Sequence, residues 1–229
     1  MASRISIISS MATRQLLADL IVKFQQTSAL QVSVESVGGV DAARRVQAGE
    51  VFDVVILAAN AIEQLTEAGK IVRGSRVDLV RSGVAIAART GAPRPAIGTE
   101  EAVKQAVLQA RSLSYSTGPS GLHLVKLFER WGIADEIKNR IVQAPPGVPV
   151  GSLVAGGEVE LGFQQVSELI HLSGIDVLGP LPPAIQIITT FSAGLTALST
   201  EAEAVRTLLD FMVSPAALEA KLRNGMEPA

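Results

Sequence analysis

The sequence predicts an α/β protein in two lobes, with mixed but mostly parallel sheets. Three observations predict it. Short apolar runs alternate with amphipathic runs of about 10–15 residues, the pattern of strand–helix–strand units with crossover connections. The alternation restarts after about residue 82. The last stretch, 201–224, is helical and has no strand of its own to cover. Residues 1–82 with 195–229 are therefore expected as a discontinuous first lobe and 83–194 as the second. Two strand-like hinge crossings, 82–89 and 184–198, join them.

Taken in order, "RISIIS" (4–9) reads as a buried strand. "RQLLADLIVKFQQ" (14–26) is an amphipathic helix with Leu16, Leu17, Leu20, Ile21 and Phe24 on one face. "QVSVES" (31–36) alternates with period two, as a half-buried strand does. Gly38-Gly39 turns the chain into a short helix over 38–50, and "FDVVILAA" (52–59) is a fully buried strand. The helix over 61–69 closes on Gly69, the usual C-terminal residue. In the second half, 82–89, 112–116, 140–144 and 159–165 are expected strands. Thr99 caps a helix over 99–110 whose first turn is acidic, and 120–132 and 148–158 are further helices. An extended stretch spans 184–198, and Ser214-Pro215 breaks the terminal helix.

Composition narrows the function. The 229 residues carry 20 basic and 22 acidic side chains, a net charge of -2, with no basic stripe, so nucleic acid is not an expected partner. No cysteine and only two histidines, His123 and His171, leave no basis for a metal site, and no cofactor is expected. No apolar run reaches the ~18 residues of a membrane span, so no membrane insertion is expected. The chain enters its first strand without a signal peptide. That suggests a cytoplasmic protein, or a periplasmic one whose leader has been removed.

Ligands of open α/β sheets bind beyond the carboxyl ends of the strands. The turns at those ends are Ser9-Ser10-Met11, Gly38-Gly39, "STGPSG" (116–121), "PPGVPVG" (145–151) and Gln164-Gln165. They are rich in Gly, Ser and Pro and contain no lysine or arginine. A small anionic ligand, carboxylate or oxyanion, would be held by N–H groups at helix starts and by hydroxyls. Each piece also has a plainer reading. Ser9-Ser10 reads as an N-cap and Gly38-Gly39 as an ordinary turn. His123 reads as a half-buried, satisfied histidine, and Glu168 as a solvated helix charge. Arg81, just before a hinge strand, is either a solvated charge or a bidentate clamp for a carboxylate. Co-location of five such turns favours a ligand.

Four segments in this order, "ISIISSMATRQLLADLIVKF", "GGVDAARRVQAGEVFDVVILAA", "TGPSGLHLVKLFERWGI" and "ELGFQQVSEL", resemble the molybdate-binding-protein-like family of bacterial solute-binding proteins. The resemblance covers nearly the whole chain. It implies the two-lobed type 2 periplasmic-binding-protein fold and an ABC-transporter-related role. Of the family's two hydroxyl ligands, the first falls on Ala12, with Ser9 or Ser10 able to replace it, and the second falls on Gly39. A family tyrosine is replaced by Gln165, and backbone amides fall near Ser120 and Gly147-Val148. The turns and the resemblance together nominate as the ligand set Ser9, Ser10, Met11, Gly38, Gly39, Arg81, Ser120, Gly147, Val148 and Gln165. The aconitate-isomerase-like branch of the family implies an alternative, a 1,3-proton shift on an unsaturated di- or tricarboxylate with His123 and Glu168 as acid/base. A transporter partner is not expected of a receptor without a signal peptide. A regulatory domain whose ligand is only a signal is the third reading.

Overall fold

The computed structural model describes residues 4–145 and 147–229. The chain divides into two compact units. Unit 1 is the chain up to Arg81 together with Thr190–Ala229, and unit 2 is Ser82–Thr189.

Unit 1 opens with β1 (Arg4–Ser10), a short 3-10 turn, and α1 (Arg14–Gln25). β2 (Gln31–Val37), α2 (Gly39–Gln47), β3 (Val54–Ala58) and α3 (Ala59–Glu67) follow. Gly69 ends α3 with φ +71, the left-handed turn that glycine adopts without penalty. β1 lies between β2 and β3 and pairs with both in parallel. The late strand β8 (Ile188–Leu195) adds antiparallel to β3. β3 is buried on both faces, which is why all five of its residues are apolar. Ile5, Ile7, Val54 and Ile56 face α1 and the two closing helices, α9 (Ala202–Val213) and α10 (Leu218–Arg223). Ile8, Val55 and Leu57 face α2 and α3.

Unit 2 is built on β4 (Val77–Arg89), which enters it at Ser82. α4 (Glu100–Gln109), β5 (Leu113–Tyr115), α5 (Pro119–Arg130), α6 (Ala134–Ile137) and α7 (Val150–Gly156) come next. Then come β6 (Leu161–Gln165), α8 (Val166–Leu169) and β7 (Ile175–Pro180). β6 pairs in parallel with β5 and antiparallel with β4, and β7 pairs antiparallel with β4. Period-two alternation assigns the faces: Val84, Ile86 and Ala88 pack with α4 and α5, while Ala85 and Ala87 pack with Leu169 of α8. A Cβ at Gly162 would stand 2.6 Å from Val154 Cγ2 and 2.9 Å from Val150 Cγ1, so glycine lets α7 lie directly on β6. The last strand, β9 (Glu227–Pro228), pairs with Val80 and Arg81 of β4.

The Thr99 cap is present, its Oγ1 accepting from Ala102 N–H at 3.1 Å. The expected strand over 140–144 is not formed. Only Ile141 bridges to Leu113, because β5 offers three residues to pair with and Arg140 turns its guanidinium to the carbonyls of Leu108 and Ala110, each at 2.7 Å. The extended stretch over 184–198 starts with a 3-10 turn at Pro183–Ile185, and β8 occupies its second part. β4 begins at Val77, ahead of the expected start, where Asp78 accepts from Ser192 Oγ of β8 at 2.6 Å. Among the described residues no helix is long and apolar enough to cross a membrane.

Candidate functional site

In unit 1 the candidate residues gather where β1 and β2 end side by side. The parallel register sets Ser9 opposite Ser36 and Ser10 opposite Val37. Ser9 is fully buried, and its Oγ lies 2.8 Å from Ser36 Oγ and donates to Ser10 O at 3.4 Å. Ser10 precedes the 3-10 turn Met11–Thr13 but makes no side-chain cap, so the N-cap reading of this pair does not hold. Its Oγ is buried and has no hydrogen-bond partner. Thr13 Oγ1 donates instead to Ser10 O at 3.1 Å. Across from Ser10, a Cβ at Gly39 would stand 3.6 Å from Ser10 Cβ. The first intrahelical bond of α2 runs from Ala42 N–H to Gly38 O at 2.9 Å, so the amides of Gly39, Val40 and Asp41 lie ahead of it. A lone hydroxyl and three leading amides share one corner of unit 1. Arg81 is exposed on β4, with its guanidinium 3.7 Å from Glu227.

In unit 2 the turn before α5 is closed tightly. A Cβ on Gly121 would come within 1.6 Å of Ser116 O, so this position admits only glycine. Ser120 is buried, and its Oγ lies 3.0 Å from Ser116 Oγ. Pro119 occupies the first turn of α5, where its missing N–H loses nothing, and the helix bonds begin with Leu122 N–H to Gly118 O at 3.2 Å. The amides of Ser120 and Gly121 therefore lead this helix. Before α7, Gly147 adopts φ +79, and the Val148 amide is taken up within the turn, donating to Pro145 O at 3.0 Å. Pro146 of this segment lies outside the described residues.

Gln165 is buried at the end of β6 and has a structural duty. With its amide turned so that both ends find partners, its nitrogen donates to Ser82 Oγ at 2.9 Å and to Ser82 O at 3.1 Å, while its oxygen accepts from Thr189 Oγ1 at 2.8 Å. Ser82 and Thr189 are the residues at which β4 and β8 meet the boundary of unit 2. Gln165 therefore ties together the two strands that the chain uses to enter and leave this unit.

Two further expectations are corrected. His123 is exposed on α5, not half-buried, because the buried face of that helix is Ser120, Leu124, Leu127 and Phe128. Glu168 is not a solvated helix charge: it is only partly exposed, and it accepts from Gln164 Nε2 at 2.8 Å. Gln164 Oε1 in turn accepts from Gly151 N–H at 3.3 Å. Burial pushes the Glu168 carboxyl up to about 7, against the downward pull of the Gln164 hydrogen bond. The role of Gln164 was not foreseen from the sequence, although its spacing of four residues from Glu168 is the signal that could have found it.

A family model described as bacterial extracellular solute-binding protein matches residues 5–227. The chain belongs to this family. Among relatives of this solute-binding protein, an aconitate isomerase from a Pseudomonas species is 38% identical over 187 residues, covering 80% of this chain and 70% of that one. The periplasmic molybdate-binding protein of Azotobacter vinelandii superimposes with a TM-score of 0.82 at 20% identity, over 98% of this chain and 99% of that one. The sulfate-binding protein SubI of Mycobacterium tuberculosis does so with a TM-score of 0.79 at 16% identity, over 99% and 87%. The likeness to these structures identifies the fold of this chain as that of the type 2 periplasmic binding proteins.

Proposed function

We propose that this solute-binding protein holds a small anion, an oxyanion or a carboxylate, through Ser10 Oγ and the leading amides of α2. Within unit 2, the Ser120 turn and the leading amides of α5 present a second set of donors suited to the same kind of ligand. Gly38, Gly39 and Met11 shape the turns beside Ser10, Gly147 shapes the turn before α7 in unit 2, and Arg81 of unit 1 is the candidate partner for a ligand with more than one carboxylate. One observation carries the reading: Ser10 Oγ is buried without a partner beside a helix start. A buried hydroxyl left unpaired costs about 1–3 kcal/mol, and an anion at this corner would accept its hydrogen bond. Helix starts complement negative charge without any lysine. That suits a chain whose net charge of -2 provides no general attraction for anions.

The test is calorimetry with molybdate, sulfate, citrate and the two aconitate isomers on wild type and Ser10→Ala. Losing one hydrogen bond to a charged ligand is worth about 1.5–3 kcal/mol, so affinity should fall roughly 10- to 150-fold. Equal affinities for the two proteins would remove Ser10 from the site.

A second reading, isomerisation of a small unsaturated di- or tricarboxylate, is favoured by the Glu168 carboxyl, which is balanced near neutrality, and by the relative described as an aconitate isomerase. The two readings differ in their partners. A receptor of an extracellular family hands its ligand to a transporter, whereas an isomerase works alone. Proton NMR with cis- or trans-aconitate in deuterium oxide separates them: an isomerase brings solvent deuterium into the substrate, and a receptor binds without exchange.

A further inference from the structure

We propose that Glu168 is the proton-transferring catalytic residue of this protein and that Gln164 is its positioning residue, fixed in turn by the first turn of α7. The inference rests on the isomerase reading and deepens it by giving the acid/base role to Glu168 and not His123, and by giving Gln164 a part in it.

The geometry is a directed chain. Gly151 N–H donates to Gln164 Oε1, which orients the amide so that its Nε2 can only point towards Glu168. Nε2 then donates to Glu168 Oε1, which holds that oxygen as an acceptor. The proton of the acid form is thereby left to Oε2. Gln164 is itself buried, so the arrangement is built into the interior of unit 2. Two more hydroxyls of this unit, Ser114 Oγ on β5 and Ser167 Oγ on α8, are buried without partners. Ser167 is the immediate neighbour of Glu168, and Ser114 is registered with Gly162, two residues before Gln164 on the same face of β6. Such unpaired hydroxyls point to a polar guest.

The electrostatic surroundings allow the carboxyl to exchange its proton near neutrality. β6 and α7 carry no charged side chain. The only charged residue of β7 is Asp176, which accepts from Thr90 Oγ1 at 3.3 Å. His171 follows just beyond α8. Among the described residues no ion pair involves Glu168. A group balanced this way takes and returns protons with similar ease. His123 is exposed and makes no hydrogen bond or ion pair among the described residues, so nothing orients its imidazole.

The step is a 1,3-shift. The Glu168 carboxylate removes a proton from the carbon that lies next to both a carboxylate and the carbon–carbon double bond. The released pair enters the allylic system, the double bond moves, and the acid form of Glu168 returns a proton to the carbon at the other end of the three-carbon unit. One C–H bond breaks and one forms. Glu168 ends as it began, and no oxidant or reductant takes part.

The experiment follows exchange and isomerisation of trans-aconitate by proton NMR in deuterium oxide between about pH 5.5 and 8.5. Wild type, Glu168→Gln, Glu168→Asp and Gln164→Leu are compared, with circular dichroism as the control for folding. Wild type should turn over with a limb near neutrality. Glu168→Gln should lose at least about 100-fold, and Glu168→Asp should recover part of the rate. Gln164→Leu should move the limb to higher pH, since the hydrogen bond that favours the carboxylate is gone. Full activity in folded Glu168→Gln, or a wild-type profile without that limb, overturns the assignment and leaves the isomerase reading standing. A wild type that neither exchanges nor isomerises the substrate overturns the isomerase reading and this inference with it.

Discussion

Replacing Glu168 with Gln should stabilise the fold at alkaline pH and leave it unchanged in acid. The folded carboxyl titrates at about 7 against an ordinary value of 4.5. Between those two values the unfolded chain has lost this proton while the folded chain still holds it. Stability therefore falls as pH rises, by about 1.4 kcal/mol per unit, from near 4.5 until the folded group has ionised above about 7. The difference of about 2.5 units corresponds to roughly 3 kcal/mol, which the partial exposure of the side chain trims towards about 2. Glutamine keeps the shape and the neutral charge of the acid form, so the variant escapes this loss. Carboxylates that are held low in the fold, such as Asp19 and Asp78, change stability in the opposite direction, but they cancel in the comparison of variant with wild type. The assay is urea unfolding of both proteins at pH 5 and pH 8, followed by circular dichroism. The variant should lie within about 1 kcal/mol of wild type at pH 5 and exceed it by about 2 kcal/mol or more at pH 8. An equal difference at both pH values would show that Glu168 is not held in its acid form by the fold.

The other predictions concern neighbouring parts of the two units. Ser10→Ala should keep folding stability within about 1 kcal/mol in urea, because the hydroxyl has no partner to lose, while anion binding weakens. A loss of several kcal/mol would mean that the hydroxyl serves the fold. Gly121→Ala should destabilise by about 3 kcal/mol or more in the same assay, since its Cβ would stand 1.6 Å from Ser116 O and backbone must move. Gln165→Leu should cost about 1–3 kcal/mol through the loss of its bonds to Ser82 and Thr189, and amide hydrogen exchange should rise at the neighbouring backbone of β4 and β8. Unchanged exchange there would deny Gln165 its tie between the strands.

Alternation and capping made most of the fold legible. β1, β3 and the first three helices stand within a few residues of their expected places, because apolar strands between amphipathic helices leave few other arrangements. The failures are physical and local. β7 went unseen because Gly179 and Pro180 interrupt its pattern, which an edge strand tolerates. The first part of β4 was hidden by Asp78 and Arg81, polar residues whose partners, Ser192 and Glu227, come from distant sequence. At the candidate site the turns were readable, but the state of each donor was not. Ser9 and Gln165 looked as available as Ser10 until Ser36, Ser82 and Thr189 were placed beside them. Glu168 looked solvated because nothing local in the sequence announces a buried carboxyl.

This difference between nominated and available donors bears on how the protein tells one ligand from another. Residue type alone would offer a ligand Ser9, Ser10, Ser120, the Val148 amide and Gln165. The fold already engages all but Ser10, through Ser36, Ser116, Pro145, and the pair Ser82 and Thr189. Under the proposed function, the groups left for an anion are one hydroxyl and leading amides, all donors fixed to rigid backbone. Such a grip fixes position but is tolerant of what lies behind the anionic group, since amides at a helix start recognise charge and direction and not the ligand's frame. Selectivity must then come from groups other than these fixed donors. Within unit 2, Glu168 is a group of another kind, because an acid form near neutrality can donate where an ionised carboxylate would repel. On this view a tetrahedral oxyanion and a small polycarboxylate compete for the same fixed donors.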